Sequence, residues 1–344
     1  MEITTIGLDI AKRVFQAHGV NAVGRAVLRR RLGRAEVLDF FRTLPPCLVG
    51  IEACGTAHHW ARKIRALGHD VWLIPAAYVK PYVKRGKTDA ADAEAICEAV
   101  TRPTMRFVPV KTAEQQAVLV LHRTRELLVR QRTALVNALR GHLAEFGIVA
   151  PQGMSRVADL LAVLLGEEEA TLPPLARQAL RGLAAELEAL GKRVEEIEAA
   201  IIAWHKDSEA SQRLAAVPGI GPITASAIVA TVGGVSNFAS ARHFAAWIGL
   251  VPKQNSTGGK PRQGGISKAG DRYLRRLLVL GATAVIRHTR IKAREGWLMK
   301  LIERRPTMVA AVAQANKTAR IVWALLARGE NFRPQQGSAQ PAGA

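Results

Sequence analysis

Apolar and polar positions in the first hundred residues follow two periods, one typical of strands and one of helices. Short apolar, β-branched runs predict strands at 3–10, 13–20, 22–32, 48–51 and 71–74. Helical spacing between and after them predicts helices at about 34–43, 57–67 and 88–101. Three strands in succession, followed by helices and strands in alternation, indicate an α/β domain with a mixed sheet over residues 1–110.

Two long helices are predicted in the middle of the chain, at 113–146 and 175–205, where apolar residues recur near heptad spacing. The segment between them, 147–172, contains Pro and Gly and is expected to form a short helical turn. Helices joined in this way form either an antiparallel, coiled-coil-like arm or an ordinary pair within a bundle, and both interpretations stay open. We assign this helical arm to residues 111–208.

The C-terminal part, residues 209–330, is expected to be a mostly helical domain that is rich in Gly between 219 and 270. The tail, 331–344, is composed largely of Pro, Gln, Gly and Ala. Such a composition cannot bury enough apolar surface to offset the entropy of folding, so we predict that the tail is disordered. The predicted fold class is therefore α/β plus all-α.

The charge balance indicates the class of partner. The chain has 49 Lys and Arg against 28 Asp and Glu, which gives a net charge of +21. Such an excess repels itself in the folded state, and binding to a polyanion such as nucleic acid relieves that repulsion. A membrane surface is a poorer candidate because no basic amphipathic helix or lipidation motif is present. The simplest alternative is an ordinary soluble protein from an Arg-rich proteome.

The three cysteines and the N-terminus indicate the compartment. Cys47, Cys54 and Cys97 form neither a paired framework nor a metal-ligand spacing, which suits a reducing environment. The N-terminus lacks the apolar run of a signal peptide, and no stretch reaches the ~18 apolar residues of a membrane span. We therefore expect a cytoplasmic protein without a membrane partner.

Four acids occupy positions that suit a metal site. Asp9 ends the first predicted strand, Glu52 ends the fourth, and Asp89 and Asp92 share one face of a predicted helix. Phosphodiester chemistry with two Mg²⁺ ions needs such a set of carboxylates, which could converge only if the strands are neighbours. Taken singly, each acid has a simpler explanation as a strand end, an ion-pair partner or part of a helix cap.

These acids lie in motifs that resemble a known family. Gly7-Leu8-Asp9, Ile51-Glu52-Ala53 and Lys87-Thr88-Asp89-Ala90-Ala91-Asp92 are similar to motifs of the DEDD-type transposases of the insertion-sequence 110 family. The N-terminal domain of that family resembles RNase-H-like Holliday-junction resolvases of the RuvC type. The resemblance implies that Asp9, Glu52, Asp89 and Asp92 are catalytic metal ligands.

A Pro-Gly-x-Gly turn at Pro218-Gly219-Ile220-Gly221 separates two apolar helical segments. A helix-hairpin-helix has this form, and the backbone N–H groups of Gly219 and Gly221 could bind a nucleic-acid phosphate without sequence preference. The alternative is a simple tight turn between helices.

The segment 249–276 combines glycines with seven basic residues and one acid, Asp271. Its basic side chains suit phosphates: Lys253, Lys260, Arg262, Lys268, Arg272, Arg275 and Arg276. Ser256 and Thr257 supply hydroxyls, but a hydroxyl needs an activating base or metal and no His lies in the segment. From the residues alone, phosphate binding by Ser256 is favoured over nucleophilic attack.

A second resemblance to the same family reverses that preference. Phe244 to Pro252, Ser256-Thr257-Gly258, Gly265 to Gly270 and Leu274-Arg275-Arg276 are similar to motifs of the family's C-terminal transposase domain. That domain carries a catalytic serine, and the spacing back from Ser267-Lys268-Ala269-Gly270 places it at Ser256. A one-residue shift of the loop would place it at Thr257.

Together the resemblances imply an insertion-sequence transposase that joins donor and target DNA through a phosphoserine link, with Mg²⁺ as cofactor. They also imply a structured guide RNA and a homo-oligomer, a dimer or tetramer, in which one chain's acids meet another's serine. Two alternatives remain: a metal-only junction resolvase or nuclease in which Ser256 binds phosphate, and a non-catalytic DNA- or RNA-binding protein.

Overall fold

The computed structural model describes residues 2–84, 86, 88–149, 153, 162, 172–292 and 296–333. Most of the predicted turn within 147–172 and most of the predicted disordered tail lie outside these residues. The chain divides into two compact units. Unit 1 comprises Met1–Gln116 and Ala230–His243, and unit 2 comprises Ala117–Val229 and Phe244–Ala344.

Unit 1 is built on a five-stranded mixed sheet. Its strands are β1 Thr5–Ile10, β2 Val14–Val20, β3 Ala26–Gly33, β4 Leu48–Glu52 and β5 Asp70–Ile74. They lie in the order β3-β2-β1-β4-β5, in which β1, β2 and β3 are antiparallel neighbours and β1, β4 and β5 are parallel. The mixed sheet predicted from the alternation of elements is confirmed, and it is compatible with an RNase-H-like domain.

Helices cover both faces of this sheet. They are α1 Val37–Arg42, α2 Ala57–Arg65, α3 Ala76–Val79 and α4 Asp89–Val100, with a 3₁₀ turn at Lys80–Tyr82. On one face, α1 and α2 pack on a large apolar core that includes Phe15, Phe41 and Trp60. On the other face, α4 contributes Ile96 and Val100 to a smaller core.

Strand β3 begins at Ala26, four residues later than the predicted start at 22. The preceding residues form a turn because the Asn21 side-chain oxygen accepts hydrogen bonds from the backbone N–H groups of Val23 and Arg25, at 3.2 and 2.9 Å. Gly24 completes the turn with a φ of 77°. Asn commonly forms such turns with its own backbone.

Helices and one hairpin make up the rest of the described chain. The helices are α5 Ala113–Ala144, α6 Pro174–Asp207, α7 Glu209–Ala215, α8 Pro222–Val232, α9 Ala241–Ile248, α10 Arg272–Lys292, α11 Trp297–Arg304 and α12 Thr307–Arg328. The hairpin consists of β6 Pro252–Gln254 and β7 Gln263–Ile266. It was missed in the segment predicted to be mostly helical. No helix among the described residues is long and apolar enough to cross a membrane.

Helices α5 and α6 pack against each other in unit 2. Late residues of α5, such as Leu139, share a core cluster with early residues of α6, such as Ala184. Arg125 of α5 forms a 2.5 Å ion pair with Glu198, near the end of α6. The pair is therefore antiparallel, as the arm prediction required. A coiled-coil geometry for the pair stays a prediction.

Candidate functional site

Asp9 and Glu52 lie at the carboxyl ends of neighbouring strands. Strands β1 and β4 are parallel, with Leu8 paired to Ile51. Asp9 and Glu52 are the next residues on each strand, so they leave the sheet side by side. The neighbouring strands that the carboxylate hypothesis required are therefore present.

Both acids emerge on the face that α4 covers. A Cβ added at Gly7 would stand 2.1 Å from the Ala93 carbonyl oxygen, and one added at Gly50 would stand 2.8 Å from the Val100 Cβ. Positions 7 and 50 therefore face α4. Because side chains alternate along a strand, Asp9 and Glu52, two residues further on, face the same way.

Helix α4 runs antiparallel to β1, which brings its first turn to Asp9. Cys97, late in the helix, places its Sγ 3.8 Å from the Thr5 carbonyl oxygen at the start of β1. Ala93 lies over Gly7, one turn earlier, and the first turn carries Asp89 and Asp92. The start of this helix is fixed by Thr88, whose Oγ1 accepts a hydrogen bond from the Ala91 N–H at 3.2 Å.

The charges of the three other acids act on Asp9. Burial and then repulsion by Asp92, Asp89 and Glu52 raise the pKa of Asp9 to about 6, against a partial offset from the Ile10 backbone N–H. Asp9, Glu52 and Asp92 are half-buried and Asp89 is exposed. The effect of these three acids on Asp9 shows that positions far apart in the sequence bring their charges near it.

A divalent cation would relieve this repulsion, and carboxylate oxygens are its preferred ligands. Among the described residues, however, no three His, Cys, Asp or Glu side chains lie close enough together to hold a metal ion as they stand. The donor chemistry therefore fits a divalent cation, but these side chains must turn towards it to coordinate. The ligand roles of the four acids stay predictions.

The Gly-rich basic segment forms the hairpin of β6 and β7. Gln254 pairs with Gln263, and Thr257 bridges to Lys260 at the tip. Gly258 and Gly259 between them have φ values of 55° and 72°. Two central residues with positive φ define a type I′ turn, for which Gly-Gly is well suited. Two glycines of this segment thus form the hairpin turn.

Ser256 lies on the hairpin immediately before this turn. Its side chain is exposed, and its Oγ accepts a hydrogen bond from the Arg262 backbone N–H at 3.2 Å. The bond orients the hydroxyl and leaves its proton available. Thr257, the second candidate, is also exposed. The role of either hydroxyl as a nucleophile stays a prediction.

The hairpin is anchored where Ser267-Lys268-Ala269-Gly270 packs on the end of α9. A Cβ added at Gly270 would stand 1.9 Å from the Trp247 carbonyl oxygen, so a side chain cannot be accommodated there. Arg275 Nη1 donates hydrogen bonds to the carbonyl oxygens of Ile248 and Ala269, at 2.8 and 2.6 Å. Arg275 therefore has a structural role, and its predicted phosphate contact stays a prediction.

Most of the other predicted phosphate-binding side chains are exposed. Arg276 forms a 3.1 Å ion pair with Glu126 and lies over the Tyr273 ring at 5.4 Å. The exposed basic residues around the hairpin and at the start of α10 are Lys253, Lys260, Arg262, Lys268 and Arg272. They form a surface on which a polyanion could lie.

Helices α7 and α8 flank the Pro-Gly-x-Gly turn, as predicted. Gly219 has a φ of 86° and packs against α10, where a Cβ added at Gly281 would stand 1.9 Å from its carbonyl oxygen. Gly219 therefore permits the close approach of two backbones within unit 2, whereas Gly221 is exposed. Binding of nucleic acid by this turn stays a prediction.

Gly7 and Gly50 also shape the site, although they were not predicted as site residues. Both place α4 directly on the sheet. The available signal was a glycine two residues before each acid, in Gly7-Leu8-Asp9 and Gly50-Ile51-Glu52. A strand glycine often marks a close approach by another backbone.

Comparison with known proteins gives two family matches. Residues 211–297 match a model described as "Transposase IS116/IS110/IS902 family", and residues 6–148 match a DEDD model of IS110, described as "Transposase". A "Probable family 20 transposase" of Pseudomonas aeruginosa is 55% identical over 97% of this chain and 100% of its own length.

Two further relatives cover nearly the whole chain. The "Transposase for insertion sequence element IS1328" of Yersinia enterocolitica is 42% identical, over 96% of this chain and 98% of its own length. The "Transposase for insertion sequence element IS1111A" of Coxiella burnetii is 43% identical, over 96% and 92%.

Proposed function

We propose that this chain, which belongs to the IS116/IS110/IS902 family of insertion-sequence transposases, cuts and rejoins DNA through a serine nucleophile assisted by a divalent-cation site. The observation that carries the proposal is that Asp9 lies near Glu52, Asp89 and Asp92: burial first, and then repulsion by these three acids, raise the pKa of Asp9 to about 6. Four acids that repel one another are costly to the fold unless they serve a cation.

The four acids would hold the divalent cations, with Mg²⁺ as the proposed ion. When bound, such ions stabilise the charge that develops on the attacking and leaving oxygens of a phosphodiester. Asp9 and Glu52 are fixed by adjacent strands, whereas Asp89 and Asp92 depend on the position of α4. The strand pair and the helix therefore set the geometry of the site together.

Ser256 is the proposed nucleophile. Its Oγ attacks the phosphorus of the scissile phosphate, so that an Oγ–P bond forms and the bond to one deoxyribose oxygen breaks. The serine proton passes to solvent, and the released oxygen takes up a proton. A hydroxyl of a second strand then attacks the phosphoserine, which forms the new phosphodiester and returns the serine hydroxyl.

Detection of the covalent intermediate tests this proposal. Purified protein is incubated with DNA carrying the ends and target of its element, the element's RNA and Mg²⁺, and then denatured. We expect a protein–DNA adduct that peptide mapping assigns to Ser256, that is absent from Ser256→Ala and that persists in Thr257→Ala. An adduct that is lost only in Thr257→Ala would move the nucleophile by one residue.

A metal-only nuclease is the second candidate, because Ser256 lies between exposed Lys253 and Lys260 and could simply bind phosphate. In that case Ser256→Ala would weaken DNA binding but leave Mg²⁺-dependent cleavage intact, and no adduct would form. Asp92→Asn abolishes cleavage under either function, so it serves as the control for the carboxylate site.

We further propose that a structured RNA guides the reaction and that the protein acts as a dimer or tetramer, in which the acids of one protomer serve the serine of another. The net charge of +21 supports a large polyanionic partner. Mixing Asp9→Asn protein with Ser256→Ala protein would restore recombination only if the two sites come from different protomers. Omission of the RNA would abolish recombination.

The proposed roles follow the domains that the sequence predicts. Residues 1–110 supply the carboxylates, 111–208 the helical arm and protomer contacts, and 209–330 the serine and the turn formed around Gly219 and Gly221.

A further inference from the structure

Three consecutive arginines, Arg29 to Arg31, lie on β3, the edge strand of the sheet in unit 1. Arg31 pairs with Gln16 of β2, and Gln16 pairs with Asp9 of β1. Residues paired across neighbouring strands point to the same face, so Arg31 lies on the face of Asp9. With strands ~4.8 Å apart, the two Cα atoms are separated by about 10 Å.

Arg29 lies on the same face, two residues before Arg31 and about 7 Å from it along the strand. It pairs with His18, which pairs with Gly7 beneath α4. Both arginines are exposed, and neither guanidinium group forms a hydrogen bond or ion pair with any residue that the structure describes. Two guanidinium groups without a partner among the described residues therefore lie in a row on the face that carries the carboxylates.

Arg30 points to the opposite face and has a different role. Its guanidinium lies over the Phe40 ring of α1, 5.4 Å from the ring centroid. Such a contact stabilises a cation against the core by a cation–π interaction. The alternation along the strand therefore separates one structural arginine from two that face the carboxylate side.

A recess of about 240 Å³ is lined in part by Arg29, between the sheet and the start of α4. Its walls include Gln16, His18 and Arg29 from the sheet and Thr88 and Glu94 from the α4 side. Lys84 Nζ contacts the Glu94 carboxylate at 2.6 Å, which neutralises the one acid in the wall. Alanines from the sheet and α4 complete the wall, so the recess has both polar and apolar surface, and the Arg29 charge makes it positive overall.

We infer that Arg29 and Arg31, with this recess, bind the phosphate backbone of single-stranded DNA beside the carboxylate site. The inference rests on the proposed function, because the strand that it places there is the one to be cut. The nucleic-acid contacts predicted from the sequence all lie in the C-terminal part of the chain, so this surface adds a contact in unit 1. The partner of this surface follows from charge complementarity, since two neighbouring guanidinium groups suit successive phosphates.

The dimensions favour a single strand over a duplex. With a volume of about 240 Å³, the recess could admit a single sugar–phosphate unit but not a duplex. The arginines form one row on an edge strand rather than the two rows that would meet both strands of a duplex. DNA is the expected strand rather than RNA because the surface leads to the site that we assign to DNA cleavage.

The salt dependence of DNA binding tests the inference under conditions in which no DNA is cleaved. Fluorescence anisotropy measures the affinity of the full chain for a labelled single-stranded DNA 30-mer, its duplex and its RNA counterpart, in EDTA. Each phosphate contact contributes about 0.7 to the slope of log K against log salt for a single strand. Arg29→Gln/Arg31→Gln should therefore reduce the magnitude of that slope by about 1.4 for single-stranded DNA, and Arg29→Lys/Arg31→Lys should restore it.

The matched control is Lys63→Gln/Arg42→Gln, which removes the same charge from α1 and α2 on the opposite face. It should change the slope by less than the contribution of one phosphate contact, about 0.7. An equal decrease in the control, or a decrease confined to the duplex or to the RNA, would overturn the inference. Because EDTA prevents cleavage, the result does not depend on adduct formation, so the proposed function can fail while this surface stands.

Discussion

Gly7 of β1 lies directly beneath Ala93 of α4, so close that an added Cβ would stand 2.1 Å from the Ala93 carbonyl oxygen. The contact places the first turn of α4, with Asp89 and Asp92, beside Asp9. A residue without a side chain therefore sets the distance between the acids of the strands and those of the helix.

Gly7→Ala should displace α4 and separate the two pairs of acids. We expect a loss of about 1–3 kcal/mol in unfolding free energy from overpacking, together with a loss of the thermal stabilisation that Mg²⁺ gives the wild type. Differential scanning calorimetry with and without Mg²⁺ measures both. Gly55→Ala is the control, because nothing lies within 4 Å of a Cβ added there. A Gly7→Ala protein with wild-type stability and metal response would contradict this placement of α4.

Because its acidic neighbours repel Asp9, neutralising it should raise the stability of the protein and abolish its response to Mg²⁺. Asp9→Asn removes the charge whose pKa is raised to about 6 by burial and by its three acidic neighbours. In metal-free buffer at pH 7.5, solvent screening limits the gain to the order of 1 kcal/mol, or about 2–4 °C in melting temperature. The variant should also lose its response to Mg²⁺. Glu2→Gln, which removes an exposed carboxylate, should change neither; a lower melting temperature for Asp9→Asn would refute the repulsion.

The sequence predicted the sheet of unit 1 well because its strands are short and bounded by turn residues, and all but β3 are largely apolar. It located the acids but could not show that they converge, since only the β1–β4 pairing and the direction of α4 bring them together. It missed the β6–β7 hairpin because exposed strands rich in Lys, Gln and Gly lack apolar alternation. The available signal was Gly258-Gly259, a common two-residue hairpin turn.

The hairpin turn predicts a loss of activity without a loss of stability. Gly258→Ala/Gly259→Ala forces two side chains into positive φ, at about 1–2 kcal/mol per residue, and should distort the hairpin that holds Ser256. We expect the yield of the Ser256 adduct to fall at least about tenfold, as a barrier increase of ~1.4 kcal/mol would give. Because the tip is exposed, the hairpin can relieve this strain by distorting locally, so the melting temperature should change little.

Gly258→Asn is the control for this turn, since Asn-Gly also forms type I′ turns. It should retain most of the adduct yield. If the double alanine variant and Gly258→Asn were equally active, the turn would have no part in positioning the serine.

Two arginines three positions apart on α10 should behave differently. Arg275→Gln breaks the bonds to the Ile248 and Ala269 carbonyl oxygens and should cost about 1.5–3 kcal/mol of unfolding free energy, without changing the salt dependence of DNA binding. Arg272→Gln removes an exposed charge and should reduce the magnitude of the salt slope for duplex DNA by about 0.9 with no loss of stability. Equal reductions in slope would make Arg275 a phosphate ligand and exclude a purely structural role.

A buried histidine in unit 2 predicts a pH-dependent stability. His122 is 1% exposed, its Nδ1 lies 3.1 Å from the Tyr273 hydroxyl, and its Nε2 lies 3.1 Å from the Ser226 Oγ. Ser226 donates its own proton to the Pro222 carbonyl oxygen at 2.7 Å, so it accepts from His122 Nε2, and Tyr273 donates to Nδ1. The network therefore suits the neutral ring. Burial, followed by the Arg125 charge, lowers the pKa of His122 to about 4.

Because this folded-state pKa lies below the unfolded value of 6.5, the unfolded chain binds the proton first as the pH falls. The contribution of His122 to stability is complete above pH 6.5 and is lost progressively towards pH 4; by pH 5.0 the loss should be about 2 kcal/mol. Urea unfolding at pH 7.5 and 5.0 measures it. His122→Gln should reduce the difference between the two pH values by that amount, whereas His243→Gln, which removes an exposed histidine, should leave it unchanged. A wild-type pH difference in His122→Gln would mean that the ring is protonated in the folded state, and the hydrogen-bond assignment would then be wrong.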